Sequence, residues 1–198
     1  MKSVRKIVSV LWVPLLIGSL LAIQSCKGDD DEDGPKCTKE VAESKLTAPN
    51  QDKIASDLVL IEQYLADNEI DIADTEIKNN VRYLITELGT GETPCLESFL
   101  KLKYRGMLMK TGYVFDPDQI NQPDVDWQER EVNFKNSNNR INSLILGWQI
   151  VLPSIPMGSK LTLYIPSGYG YGTSGGASGA IPVNANLIFE IELLEIVE

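Results

Sequence analysis

Histidine does not occur once among the 198 residues. Without an imidazole, Ser-His-Asp and Cys-His nucleophiles and His-based metal sites are excluded. Cysteine is nearly as scarce, with three in the chain. Positive charge is also short: 18 Lys and Arg stand against 28 Asp and Glu, a formal −10. That balance argues against nucleic acid, because a phosphate-binding surface needs clustered basic side chains. Internal repeats, sustained coiled-coil heptads and the βαβ alternation of a parallel sheet are missing too. What remains has room for one ordinary domain plus an extension, with a 43% hydrophobic content normal for a globular protein.

The most informative stretch is Leu144 to Tyr171, in which Lys160 is the only charged side chain. Leu144, Ile145, Trp148, Val151 and Leu152 recur at three- and four-residue intervals, so one face of a short helix is apolar until Pro153 stops it. After the Met157-Gly158 turn, Leu161, Leu163 and Ile165 alternate with Lys160, Thr162 and Tyr164, which predicts a half-buried strand ended by Pro166. Such a span suits the wall of an apolar pocket better than acid/base machinery.

At the N-terminus, Lys2, Arg5 and Lys6 precede an apolar run from Ile7 to Ile23, the layout of a secretory signal over residues 1–25. Ile23-Gln24-Ser25-Cys26 resembles a bacterial lipobox, which implies lipidation of Cys26 as the first mature residue. Three of the basic residues and none of the acidic ones precede Cys26, so the mature chain carries a net −13. Residues 26–50 read as an acidic flexible tether, with the run Asp29-Asp30-Asp31-Glu32-Asp33 at its start. An acidic stretch directly after a lipidated Cys resembles the surface-export tether of Bacteroidetes lipoproteins. It implies a lipid-anchored place in the cell envelope, at the outer membrane and facing outward. With Cys26 committed to lipid, Cys37 and Cys95 are left either to pair or to stay as free thiols, and two cysteines cannot make a structural zinc site alone.

Residues 51–80 form a helical extension: Ile54, Leu58, Ile61 and Leu65 share one face of a helix that ends near Asn68 and docks on its own domain. Residues 81–198 are β-rich. Strands are expected from Val81, over Phe99–Tyr104 with a bend or bulge at Gly106, over Gly112–Phe115, over Glu131–Phe134, and from Asn186 to Val197, with a long loop from Pro117 to Trp127. The fold class is α+β: a curved antiparallel half-barrel sheet wrapped around one short helix.

Gly170-Tyr171-Gly172-Thr173-Ser174-Gly175 matches G-x-G-x-x-G, yet Gly175 to Gly179 and Pro182 leave no helix to receive a phosphate, so nucleotide binding is not expected. A flap beside a pocket is the better reading. Taken in order, Leu102-x-Tyr104-x-Gly106, Phe115-Asp116, Ile145-x-Gly147-Trp148, Met157-Gly158, Ile165-Pro166 before Tyr169-Gly170-Tyr171-Gly172, Ile181-Pro182 and Leu187 to Leu194 resemble the FKBP-type peptidyl-prolyl cis/trans isomerases over about residues 81–198.

The resemblance implies that Trp148 floors a pocket walled by Tyr104, Phe115, Leu144, Ile145, Tyr171, Ile181 and Phe189, with Asp116 beside the twisting amide. It implies that the Ile145 N–H and the Tyr171 hydroxyl hold substrate carbonyls. A second pocket phenylalanine falls near Val132 or Phe134, and the flap carries Gly176-Ala177 and a small Ala180, which predicts a mobile flap and a weaker grip. No cofactor or metal is implied. The implied partners are proline-containing polypeptides outside the cytoplasm and, through Cys26, a membrane, with a monomeric chain. Two other readings stay open: a non-catalytic proline-peptide-binding or chaperone module on the same scaffold, and a surface structural or adhesion lipoprotein.

Overall fold

The computed structural model describes residues 36–116, 126, 128 and 130–197. The expected secretory signal, Cys26, the acidic run and nearly all of the 117–127 loop lie outside the described residues. In chain order the main elements are α1 (Glu43–Thr47), α2 (Gln51–Asp67), β1 (Glu76–Lys78), β2 (Val81–Glu87), β3 (Phe99–Leu108), β4 (Val114–Asp116), β5 (Val132–Asn133), α3 (Leu146–Val151), β6 (Lys160–Ile165) and β7 (Leu187–Val197). The strands form one antiparallel sheet in the order β1-β2-β6-β7-β3-β4, with β5 also on β3, and it does not close into a barrel.

Period-two alternation sets the register, since a slip of one residue would turn every apolar side chain outward. Leu102 opposes Leu193, Tyr104 opposes Ile191 and Gly106 opposes Phe189, while Leu161 and Leu163 of β6 oppose Ile191 and Phe189. These side chains and the helix α3 make the main core. On the other face of β3 and β7, Lys101, Lys103 and Arg105 pair with Glu195, Glu192 and Glu190. At six residues, α3 is too short to hold itself, so its burial against the sheet sustains it. A Cβ on Gly147 would lie 2.6 Å from the Ile165 side chain, so glycine there lets α3 approach the sheet.

Three expectations change. Residues 36–50, read from composition as tether, are folded: Val41 and Leu46 are buried in the main core, and Cys37 is disulfide-bonded to Cys95 with Cα atoms 5.1 Å apart. A strand not expected from the sequence, β1, pairs with β2 through a two-residue turn in which Asn79 and Asn80 both take positive φ, the requirement of a tight hairpin. Tyr164 does not face water. It is buried with Ile188 beneath Ile61 and Leu65 of α2, which covers part of the sheet's outer face. Asn50 caps this helix by accepting from the Lys53 N–H at 2.9 Å.

Candidate functional site

The concave face brings five aromatic rings together from four elements and one loop. Phe115 on β4 meets Phe189 on β7 edge to face at 5.7 Å, and Phe189 meets Trp148 on α3 at 5.2 Å. Trp148 is also edge-on to Tyr104 of β3 at 5.4 Å and tilted against Phe134 at 6.1 Å. Edge-to-face contacts suit the ring quadrupoles. Gly106 makes this possible, because a Cβ there would lie 2.6 Å from the Phe189 ring and 2.7 Å from that of Phe115. The Trp148 indole N–H is buried and has no partner among the described residues.

Between Val132 and Phe134, it is Phe134 that is buried against Trp148 and Tyr104, while Val132 is half-buried in the pairing with β3. Two polar groups stand beside the rings. The Tyr104 hydroxyl donates to Asp116 Oδ2 at 2.7 Å, and burial, with the Asp116 carboxylate adding to it, pushes the Tyr104 phenol far above its ordinary range. Burial and the same carboxylate raise the Tyr171 phenol as well. Tyr171 keeps 37% of its surface exposed, so it forms a rim and not a floor.

Leu144, Ile145 and Ala180 are half-buried and Ile181 is buried, all against the same core. The apolar spacing of residues 144–152 reads as continuous helix, but α3 begins only at Leu146. Ile145 is its N-cap, with ψ 150°. Consequently the Ile145 N–H lies outside the helical ladder, and no backbone carbonyl among the described residues accepts it. Gln149, which no local pattern singles out, is buried and donates from Nε2 to the Leu144 carbonyl at 2.6 Å. That carbonyl belongs to the same peptide group as the Ile145 N–H, so Gln149 fixes its orientation.

The flap expected to be loose is a hairpin closed by backbone hydrogen bonds. Gly176 and Ile181 exchange N–H to carbonyl bonds of 3.0 and 3.1 Å, and the Asn184 N–H reaches the Gly172 carbonyl at 2.8 Å. Gly176 lies flat on Tyr171, where a Cβ would come within 2.6 Å of the ring. The small residue thus serves contact with Tyr171. The G-x-G-x-x-G run forms turns after a short 3-10 segment, Ser167–Tyr169, and opens no α-helix.

Residues 91–194 match the family described as FKBP-type peptidyl-prolyl cis-trans isomerase. An FKBP-type isomerase, FkpA of Aeromonas hydrophila, is 33% identical over 135 residues, covering 68% of this chain and 45% of that protein. FK506-binding protein 1 of Aspergillus oryzae is 33% identical over 123 residues, 58% of this chain and 96% of that one. The chain thus spans nearly all of the fungal relative and about half of the bacterial one. Among solved structures, a peptidyl-prolyl isomerase of Pseudomonas syringae superposes with a TM-score of 0.55 at 25% identity, over 73% of this chain and 96% of that one. FkpA of Escherichia coli shares the fold at a TM-score of 0.55 and 24% identity, over 74% of this chain and 62% of that one.

Proposed function

The chain belongs to the FKBP-type peptidyl-prolyl cis-trans isomerase family, and we propose that it catalyses rotation about X-Pro bonds in polypeptides outside the cytoplasm, anchored to the cell envelope by lipid on Cys26. The observation that carries this reading is Trp148, 3% exposed and enclosed by Tyr104, Phe134 and Phe189, with Ile145 capping the same helix and Tyr171 near the Tyr104–Asp116 pair.

Rotating a peptide bond has a barrier of ~18–20 kcal/mol because amide resonance is lost on the way. Water stabilises the charge separation of the planar amide. An aromatic cavity that takes the prolyl ring withdraws that solvation, and fixed donors then favour the twisted form. The Ile145 N–H, oriented by Gln149, and the Tyr171 hydroxyl serve as those donors, while Asp116, held by Tyr104, lies beside the rotating group. No proton changes hands. Phe134, not Val132, against Trp148 supports catalysis over binding alone. The docking of α2 on its own sheet supports a monomer.

A protease-coupled assay on an Ala-Leu-Pro-Phe-type peptide tests the proposal. Acceleration over the thermal rate is expected. Wild-type protein that binds the peptide but leaves the rate uncatalysed would overturn it in favour of a binding module.

A further inference from the structure

A fully buried carboxylate on α2 serves none of the chemistry described so far. Asp57 has no exposed surface, and a buried charge is costly unless its oxygens are matched by donors. Its Oδ2 accepts from the Ser167 hydroxyl at 2.6 Å and from the Ser167 N–H at 3.0 Å, across 110 residues of sequence. Its Oδ1 takes the ammonium of Lys53, one helical turn earlier. The Ser167 N–H is shared with Asn186 Oδ1, also at 3.0 Å.

Ser167 is in turn the hub of the turn that presents Tyr171. Its carbonyl accepts from the Gly170 N–H at 3.1 Å and from the Gly172 N–H at 2.8 Å, the residues on either side of Tyr171. On the α2 side this turn is not packed shut. A groove of about 500 Å³ opens there, walled by Pro49, Asn50 and Lys53 opposite Gly170 to Ser174. The turn touches this side at Gly168, where a Cβ would lie 3.1 Å from the Pro49 side chain, and from Gly170 to Ser174 it faces the groove, so the tie of those residues to α2 runs through the hydrogen bonds of Ser167. A second tie from the N-terminal segment, the Tyr169 hydroxyl to the Leu46 carbonyl at 3.2 Å, acts on the same turn.

We propose that Asp57, on a helix preceding the matched family segment, is a positioning residue for Tyr171, acting through Ser167 and its bonds to Gly170 and Gly172. The N-terminal extension is then part of the isomerase site as well as of the scaffold. This rests on the reading of Tyr171 as a substrate contact. An apolar side chain at position 57 would avoid desolvating a charge but would leave the buried Ser167 hydroxyl without its acceptor, so the carboxylate is explained by what it holds.

The test uses amide hydrogen exchange and isomerase kinetics on the same proteins. In Asp57→Ala, exchange at Gly170 and Gly172 should rise at least tenfold relative to β3 and β7 amides, and kcat/KM should fall about tenfold, mainly through KM. Asp57→Asn, which keeps an acceptor for Ser167, should restore most of both. In a Tyr171→Phe background, Asp57→Ala should cause no further fall in kcat/KM, because the two residues act as one unit. Ile61→Ala, which loosens α2 elsewhere, should lower stability and leave kcat/KM unchanged. If Asp57→Ala does not fold, Ser167→Ala removes one bond of the relay and should give a roughly threefold effect on the same amides. Unchanged exchange at Gly170 and Gly172, or losses from Asp57→Ala and Tyr171→Phe that multiply independently, would overturn the proposal. A wild type without isomerase activity would remove the functional reading alone, and the exchange rates would still decide whether Asp57 holds the turn.

Discussion

Gln149 Nε2 donates to the Leu144 carbonyl at 2.6 Å, and the same peptide group carries the Ile145 N–H. A glutamine inside a six-residue buried helix therefore aims a donor that lies outside that helix. Gln149→Leu should lower kcat/KM several-fold. It should also destabilise by about 1–3 kcal/mol, the penalty of leaving a buried acceptor unpaired. Unchanged kinetics with the stability loss alone would reduce Gln149 to a structural role.

Catalysis should not depend on pH across the neutral range. The chain has no histidine, and Cys37 and Cys95 are joined and do not titrate. Tyr104, hydrogen-bonded to Asp116, stays protonated well past its ordinary range. We expect kcat/KM to be flat from about pH 6 to 9. A bell-shaped profile would show proton transfer and would contradict the mechanism.

Gly106→Ala should damage both stability and activity. The added methyl would meet the Phe189 and Phe115 rings at 2.6 and 2.7 Å. Relieving such overlap typically costs about 1–3 kcal/mol, and here it splays two walls of the cluster. A drop in urea midpoint together with a tenfold or greater fall in kcat/KM is the expected pair of results.

Alkali should unfold the protein in a way that Tyr164 reports. Burial, with Tyr64 and Glu190 nearby, pushes its phenol up to about 12 from 10.0. A raised folded pKa means that the native state keeps a proton the unfolded chain releases. Its contribution is therefore intact below pH 10 and declines as pH rises from about 10 to 12, by up to about 1.4 kcal/mol per unit. Tyr83, raised by burial and by Glu76, adds to the slope in the same direction. Urea midpoints measured against pH should fall above pH 10, less steeply in Tyr164→Phe.

Reduction should loosen the N-terminal segment. The Cys37–Cys95 bridge closes a loop with a separation of 58 residues. Loops of that size are worth about 2–4 kcal/mol through the unfolded chain. The Cys37→Ser, Cys95→Ser double variant should melt at lower temperature. An unchanged melting point would show that Val41, Leu46 and their neighbours hold the segment by packing alone.

Part of the aromatic cluster was legible before any coordinates. Alternation placed Tyr104 and Phe189 on strands and apolar spacing placed Trp148 on a helix, while their gathering with Phe115 and Tyr171 into one candidate site was implied only by the ordered resemblance to the FKBP-type isomerases. Phe134 could not be separated from Val132, because a loop outside the described residues precedes both and leaves the register free. Gln149 and Asp57 gave no signal, since a polar residue within a helix reads as solvent-facing until a partner distant in sequence is known. The pairing of Asn79 and Asn80 was a missed signal, as two residues tolerant of positive φ between apolar runs mark a hairpin. Composition placed 36–50 in a tether because one buried valine and one leucine are too few to register against polar neighbours.

What the sequence determined by itself is the chemistry available: no imidazole, an excess of carboxylates, and an apolar aromatic set whose spacing admits an antiparallel sheet around a short helix. Those are local properties, fixed by side-chain type and by periods of two and 3.6 residues. Tertiary structure alone decided that Tyr164 lies under α2, that Phe134 meets Trp148, and that Asp57 holds Ser167. Each of these joins residues at least 14 positions apart, and such a contact follows from how the whole sheet and its covering helix exclude water, which no local window of sequence contains.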